Sequence, residues 1–150
     1  MVIQNHHRPR DPEQELLDQI VQAAEIVHQR VLAGQSEDTW RRCLVHELSE
    51  RGLTPVTDVP VDALFRGTRV PASFRLGLVV ADRVVVEVKV ADELGAEHEA
   101  QLATYLRASG YAVGLVLNFG ANTITDDARR VSIPTSAQAP TPGLAGSIGG

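Results

Sequence analysis

The sequence contains few of the residues that mark several common protein classes. It has one cysteine, Cys43, which excludes an internal disulfide, so the fold needs no oxidising compartment. No stretch approaches the roughly 20 apolar residues that cross a bilayer. Residues 1–14 are polar and lack the apolar segment of a signal peptide. We therefore expect a cytoplasmic protein without a membrane partner, while export by an unconventional route stays open.

Positive charge and aromatic side chains are also scarce. The chain has 14 Lys+Arg against 19 Asp+Glu, a net charge of -5, and only one Trp, two Tyr and three Phe. Proteins that bind phosphates usually carry a basic surplus, because each contact releases counterions, and single strands need aromatic platforms for stacking. Composition therefore disfavours a nucleic-acid partner. Four arginines nevertheless offer local phosphate contacts: Arg41, Arg42, Arg129 and Arg130.

The 150 residues, of which 43% are hydrophobic and 22% charged, suit one globular domain. We predict an N-terminal arm over residues 1–12, a domain over 13–133 and a Pro/Gly/Ala-rich tail over 134–150. Alone, such a tail buries too little apolar area to offset its ordering entropy. We expect the arm and the tail to dock on another copy of the chain, giving a homo-oligomer or filament, or the tail to fold back on its own domain.

Apolar spacing predicts three helices and five strands. A first helix is predicted over 13–32, with Gly34 ending it, and Ser36 is predicted to cap a second helix that runs to about residue 51. A third helix is predicted over 96–109, and strands over 54–64, 74–80, 84–90, 111–119 and 130–133. Two prolines make the first strand either an edge strand or a broken one. The order ααβββαβ with a final β indicates an α/β sandwich around a mixed sheet.

Residues 74–90 predict a hairpin whose register follows from its apolar pattern. Pairing Val80 with Val84 across a three-residue loop keeps the alternate apolar residues of both strands, from 74 to 80 and from 84 to 90, on one core face. The same register sets Gly77 opposite Glu87. Glu87 and Lys89 are one residue apart, so they project side by side. A carboxylate that holds Mg²⁺ beside an ammonium that orients water suits a metal-dependent hydrolase, although such a pair alone is more often a solvated exposed pair.

Two helical residues accompany this pair. Glu47 lies on the apolar stripe of the second helix with Trp40 and Leu44, where a carboxylate is costly unless it has a partner. The alternative is a rim position beside a Lys or Arg. Gln101 lies one turn before Tyr105 on the third helix, where it either steadies Lys89 or a metal-bound water, or is a surface amide.

Together these segments resemble the GxxER proteins of the PD-(D/E)XK nuclease-like superfamily. The resemblance runs through residues 34–37 for the G-x-x-E, then 46–53, 74–90, 93–110 and 113–120. It implies a restriction-endonuclease-like, three-layer core with a mixed sheet flanked by helices. It also implies a site of Glu47, Glu87, Lys89 and Gln101, with Glu87 and Glu47 as the metal ligands and Mg²⁺ as the cofactor if the site is active.

The sequence departs from the family pattern at the centre of that site. The family's catalytic Asp falls on Gly77, and Asp38 stands where the family name leads one to expect Arg. Mg²⁺ needs anionic oxygens in near-octahedral geometry, and losing a central electrostatic stabiliser costs on the order of 10²–10³ in rate. The remaining site residues are therefore expected to be vestigial, with no bound cofactor.

We predict a catalytically degenerate nuclease-fold protein with a non-enzymatic role, namely self-assembly through its terminal arms. The alternatives are a Mg²⁺-dependent DNA or RNA nuclease, a nucleic-acid-binding protein that does not cleave, and a small toxin or antitoxin partner.

Overall fold

The computed structural model of the chain describes residues 11–134. Apart from their innermost residues, the predicted arm (1–12) and tail (134–150) lie outside this range. The helices are α1 (Pro12–Arg30), α2 (Glu37–Glu50), α3 (Ala96–Ser109) and α4 (Ile124–Asp127). The strands are β1 (Pro55–Phe65), β2 (Thr68–Val80), β3 (Val84–Lys89), β4 (Val113–Asn118) and β5 (Arg129–Ser132). Across the described range, no helix is both long and apolar enough to cross a membrane.

The strands form one mixed sheet in the order β1-β2-β3-β4-β5. Strands β3 and β4 are parallel, and every other neighbouring pair is antiparallel. Helix α3 makes the crossover that a parallel pair requires. Helices α1 and α2 bury their apolar stripes on one face of the sheet, and α3 packs on the other. The predicted three-layer α/β fold with a mixed sheet is therefore confirmed.

Local capping explains where the first two helices begin. The Asp11 side chain accepts a hydrogen bond from the backbone N–H of Glu13 at 3.1 Å, and Ser36 accepts one from Thr39 at 3.1 Å, so Ser36 is the predicted cap of α2. The prediction that Gly34 ends α1 is wrong. The helix ends at Arg30, and Gly34, with φ 91°, lies beyond it in the connection to α2.

Helix α4 is absent from the sequence-based prediction. It has four residues, and the side chain of Thr123 caps it by accepting from Asp126 N at 3.3 Å. Four residues are too few to show helical periodicity, so the pattern gives no signal. The observed order is ααβββαβαβ instead of the predicted ααβββαβ with a final strand. Ile124 anchors α4 because its side chain is fully buried in the core beneath α1 and α2.

Strand β2 is longer than predicted and pairs with β1 as an antiparallel hairpin. A turn at residues 65–68 joins the two strands, and its central residues Arg66 (φ 51°) and Gly67 (φ 74°) have the positive φ values that a tight hairpin turn favours. Strand β1 is the predicted edge strand. Strand β3 pairs with β2 only at Leu78, Val79 and Val80, so the far part of this hairpin extends past the third strand.

Strand β2 changes its packing face near Gly77. The predicted pairing of Val80 with Val84 is confirmed. Leu78 and Val80 pack in the core beneath α1 and α2, but Leu76 packs in the core beneath α3. The prediction that Leu76 shares a face with Leu78 is therefore wrong. The ladder between β2 and β3 ends at Leu78. In the part of β2 before Leu78, pairing with β3 therefore does not keep the side chains in simple alternation.

Candidate functional site

Strand β3 carries Glu87 and Lys89 at the end where β2 and β3 separate. The ladder between these strands stops at the pair Leu78 and Val86, whereas the parallel ladder to β4 continues through Lys89. Val85 packs in the core beneath α3 and Val86 in the core beneath α1 and α2. By alternation, Glu87 and Lys89 share the α3 side of the strand.

The carboxyl group of Glu87 is partly buried and incompletely paired. Its Oε1 atom is buried and has no hydrogen-bond partner among the described residues. Burial raises the pKa of Glu87, the positive charges of Lys89 and Arg41 oppose that rise, and the negative charge of Glu37 adds to it. Because the desolvation cost is the largest of these effects, the site favours the protonated carboxyl more than water does.

A guanidinium group lies beside the bare backbone of Gly77. A Cβ atom built on Gly77 would lie 3.2 Å from Nη1 and 3.7 Å from Cδ of Arg41. Arg41 Nη2 also donates to Asp38 Oδ1 at 3.0 Å, and the Arg41 side chain is only 28% exposed. The space next to Gly77 therefore contains a partly buried cation, held in place by the first turn of α2.

The start of α2 brings Glu37 and Arg41 to this end of β3. The two residues are four apart and so lie on one helix face. Sequence analysis gave Glu37 only as the last residue of the G-x-x-E and did not place it in the site. The spacing of the G-x-x-E at residues 34–37 was the signal that could have identified it. Arg41 was considered only as a phosphate contact.

Glu47 does not join this group. Its Oε1 accepts from Arg51 Nε at 3.1 Å, which matches the alternative interpretation of a rim position beside an arginine. It lines a groove of about 620 Å³ between α1 and α2, together with Ile26 and Cys43. Ten residues of helix separate it from Glu37, about 15 Å along the axis.

Gln101 is an exposed amide on α3. Its Nε2 donates to the hydroxyl of Tyr105 at 3.0 Å. The Tyr105 ring in turn stacks on Phe74, with centroids 5.1 Å apart. The hydrogen bond of Gln101 is thus within its own helix. Among the described residues, no hydrogen bond joins Gln101 to Lys89.

Asn118, which sequence analysis counted only as part of a strand, fixes the backbone that follows Lys89. It is fully buried, and its Oδ1 accepts from Ala91 N at 3.0 Å and Gly120 N at 2.9 Å. Its Nδ2 donates to Ala91 O and to Asp127 Oδ2, each at 2.9 Å. An Asn within an otherwise apolar strand was the available signal, because a buried amide needs all its partners.

The charged groups at this end of β3 include a cation of the protein itself. Mg²⁺ is bound through carboxylates in near-octahedral geometry. Within residues 11–134, no three His, Cys, Asp or Glu side chains are grouped to hold a metal ion. The cation that the structure does provide beside Gly77 is Arg41. The arrangement suits charge balance within the protein.

One comparison identifies the family. The family model described as the PD-(D/E)XK nuclease superfamily matches residues 14–131, which is most of the chain. No curated protein and no solved structure gives a significant match. The matched range includes all five strands of the sheet except the last residue, Ser132, with helices on both faces. The chain therefore belongs to the PD-(D/E)XK nuclease superfamily.

Proposed function

We propose that this chain is a catalytically inactive member of the superfamily and serves as a non-enzymatic assembly domain. The observation that carries the proposal is the position of Arg41, whose Nη1 lies 3.2 Å from where a Cβ of residue 77 would stand. Position 77 is where the resemblance to the GxxER proteins places a catalytic aspartate. A guanidinium thus lies where the active family would assemble a carboxylate and a metal ion.

Charge repulsion explains why this arrangement opposes metal binding. Two like unit charges about 4 Å apart repel by about 4 kcal/mol at an effective dielectric constant near 20, and a divalent ion doubles the charge product. Glu87 and Glu37 supply two carboxyl groups, while Lys89 and Arg41 already attract Glu87 electrostatically. The protein's own cations therefore replace the stabilisation that a metal ion would give.

The finer assignment to the GxxER proteins forms part of the proposal. Residues 34–37 provide the G-x-x-E, and its Glu37 is close enough to Glu87 to raise the pKa of that carboxyl. Arg41 lies beside Gly77 and its charge also acts on Glu87, which links position 77 to the carboxyl group on β3. These features support the view that the chain keeps the family's framework and has changed its chemistry at one position.

The arginines that were expected to contact phosphates favour assembly over nucleic-acid binding. All four form ion pairs with carboxylates. The pairs are Arg41 and Arg42 with Asp38, Arg129 with Asp127 and Glu99, and Arg130 with Glu13. Together with the net charge of -5, these ion pairs make the four arginines weaker candidates for contacts with a phosphate backbone. Assembly through residues 1–12 and 134–150 stays a prediction, because most of those residues lie outside the described range.

One observation favours a second candidate, a metal-dependent nuclease. The buried Oε1 of Glu87 has no hydrogen-bond partner among the described residues, as expected of a carboxylate oxygen that binds a metal ion when one is present. In this alternative Lys89 orients the attacking water and Glu37 completes the acidic set. The same assay separates the two candidates.

The test compares four proteins: wild type, Gly77→Asp, Arg41→Gln and the double variant. Each is incubated with supercoiled plasmid and with single-stranded RNA in Mg²⁺ or Mn²⁺, and Mn²⁺ binding is measured by calorimetry. We expect no cleavage and no Mn²⁺ binding by wild type. Gly77→Asp alone should pair its new carboxylate with Arg41, whereas the double variant should bind Mn²⁺.

A control isolates the role of the lysine. Lys89→Ala in the double variant should abolish any cleavage gained while preserving most of the Mn²⁺ binding, because the ammonium acts on water and not on the metal. Wild-type cleavage that matches or exceeds that of the double variant would overturn the proposal. Wild-type cleavage that Glu37→Gln abolishes would establish the nuclease candidate.

A further inference from the structure

The far part of the β1–β2 hairpin, residues 62–75, lacks the support that the rest of the sheet has. The ladder from β3 to β2 ends at Leu78, so among residues 11–134 no third strand pairs with this segment, here called the distal hairpin, and only Phe74 at its base stacks on α3, through Tyr105. An isolated two-stranded hairpin is at best marginally stable in water, and a third strand or a packed face is needed. Something that covers the distal hairpin would therefore stabilise it.

One face of the distal hairpin is apolar and open. Directly paired residues project to the same side, so the pairs Ala63↔Val70 and Phe65↔Thr68 share one face. Phe65 is 64% exposed and Val70 is 44% exposed. Asp62 and Arg69, which lie on the other face, form an ion pair. Leu64, 68% exposed, pairs with Arg69 on that other face, so apolar side chains are uncovered on both faces of the hairpin.

Strand-to-strand pairing is a poor way to cover it. Strand β1 is at the sheet edge, but Pro60 lacks an N–H and Asp58 has a left-handed φ of 58°. Both features interrupt the row of backbone groups that a partner strand needs, as in natural edge strands that avoid aggregation. A partner must therefore be bound through side chains at the tip.

The chain itself carries a recess of complementary charge. The connections after β3 and after β4 enclose a recess of about 250 Å³, with Asp92, Glu93 and Asp126 among its lining residues. At the hairpin tip, the guanidinium of Arg66 lies 5.3 Å from the centre of the Phe65 ring. The tip therefore offers a cation on an aromatic ring, and the recess offers carboxylates.

Tip and recess lie at the same end of the sheet. Strand β2 is antiparallel to β3, so the start of β2 at the tip points toward the end of β3, where the recess begins. When two copies meet at this end, each can insert its tip into the recess of the other. Such a reciprocal contact uses the same patches on both copies and closes as a two-fold dimer.

We propose that the distal hairpin is a dimerisation arm, and that its tip docks in the acidic recess of a second copy of this chain. The inference rests on the proposed assembly function and specifies its surface. A nucleic acid fits this end less well, because the carboxylates of the recess repel phosphates. A second copy supplies a cationic tip, Arg66 on the ring of Phe65, for the charged recess.

The test measures the mass of the full chain by light scattering and sedimentation over a concentration series. Wild type should be a dimer. Arg66→Glu, and separately Asp92→Arg combined with Glu93→Arg, should each weaken the dimer by at least about tenfold, because like charges then face each other. An equimolar mixture of these two variants should dimerise again, since each tip then meets a recess of opposite charge.

Two controls keep the test decisive. Arg83→Glu makes the same charge change in the β2–β3 turn, at the other end of the sheet, and should leave the dimer intact. Recovery in the mixture shows that the single variants are folded. A monomeric wild type, or a mixture that stays monomeric, would overturn the inference, as would a monomer that binds duplex DNA through Arg66. The cleavage assay above is a separate readout, so an active nuclease that still dimerises would refute only the proposed function.

Discussion

A single buried amide determines how the chain leaves the end of strand β3. Asn118 makes four hydrogen bonds to three partners, Ala91, Gly120 and Asp127. Asn118→Leu would leave these groups buried without partners, at about 1–3 kcal/mol for each that finds no water. We expect the free energy of unfolding in urea to fall by about 3 kcal/mol. Asn122→Ala, an exposed position in the neighbouring loop, serves as the control and should change it little.

Asp127 gives this network a pH dependence. Hydrogen bonds from Asn118 and from the backbone of Leu94, with the charge of Arg129, hold the pKa of Asp127 below its ordinary value of 3.8. The unfolded chain therefore binds this proton more readily, and the ionised group stabilises the fold at pH values above 3.8. That stabilisation should be lost as the pH falls through the folded-state pKa.

Urea unfolding of wild type and Asp127→Asn across this range measures the effect. The difference in free energy of unfolding between the two proteins should be constant above about pH 5 and should decrease as the pH falls below 3.8. The amide oxygen of the variant can still accept from Asn118, so the comparison isolates the charge. A difference that does not change with pH would contradict the assignment.

The sequence predicted part of the candidate site because strand alternation is a local property. Glu87 and Lys89 share a side of β3 for that reason. The contact between Arg41 and Gly77 depends instead on how α2 lies across the end of the sheet, which no local pattern encodes. Glu47 was assigned to the site from the family resemblance, whereas in the structure it lines the groove between α1 and α2 and pairs with Arg51.

At the scale of elements, the N-terminal cap of α2 supports the site. Ser36 accepts from Thr39 N at 3.1 Å, and the first turns of this helix carry Glu37 and Arg41. Ser36→Ala should lower the free energy of unfolding by about 1 kcal/mol, because a helix N–H loses its acceptor. Ser36→Asp keeps an acceptor and should restore most of that stability in the same urea titration. Equal losses in both variants would contradict a capping role.

Elements with local boundary signals were predicted well, and those without were not. Ser36 and Gly110 mark the ends of α2 and α3 by capping chemistry that the sequence shows directly. The first half of β2, residues 68–73, contains Pro71 and little alternation, so the extension of the hairpin gave no strand signal. It forms through pairing with β1, a contact set by the turn at Arg66 and Gly67.

At the scale of the whole molecule, the distribution of charge matters more than its sum. The net charge of -5 would by itself make two copies repel. The proposed dimer overcomes this repulsion because it contains two contacts. In each of them the cationic tip of one copy meets the acidic recess of the other. The charged part of the association should therefore depend on the salt concentration, whereas its apolar part should not.

Raising the ionic strength tests this balance together with the role of the tail. From about 0.05 M to about 1 M salt, the screening length falls from over 10 Å to about 3 Å, so the wild-type dimer should weaken, while Arg66→Glu should change less or associate more tightly. Deleting residues 135–150 should leave the wild-type mass unchanged if the distal hairpin is the interface. A fall to monomer on deletion would assign assembly to the tail, and a dimer that strengthens with salt would indicate an apolar contact in which Arg66 has no part.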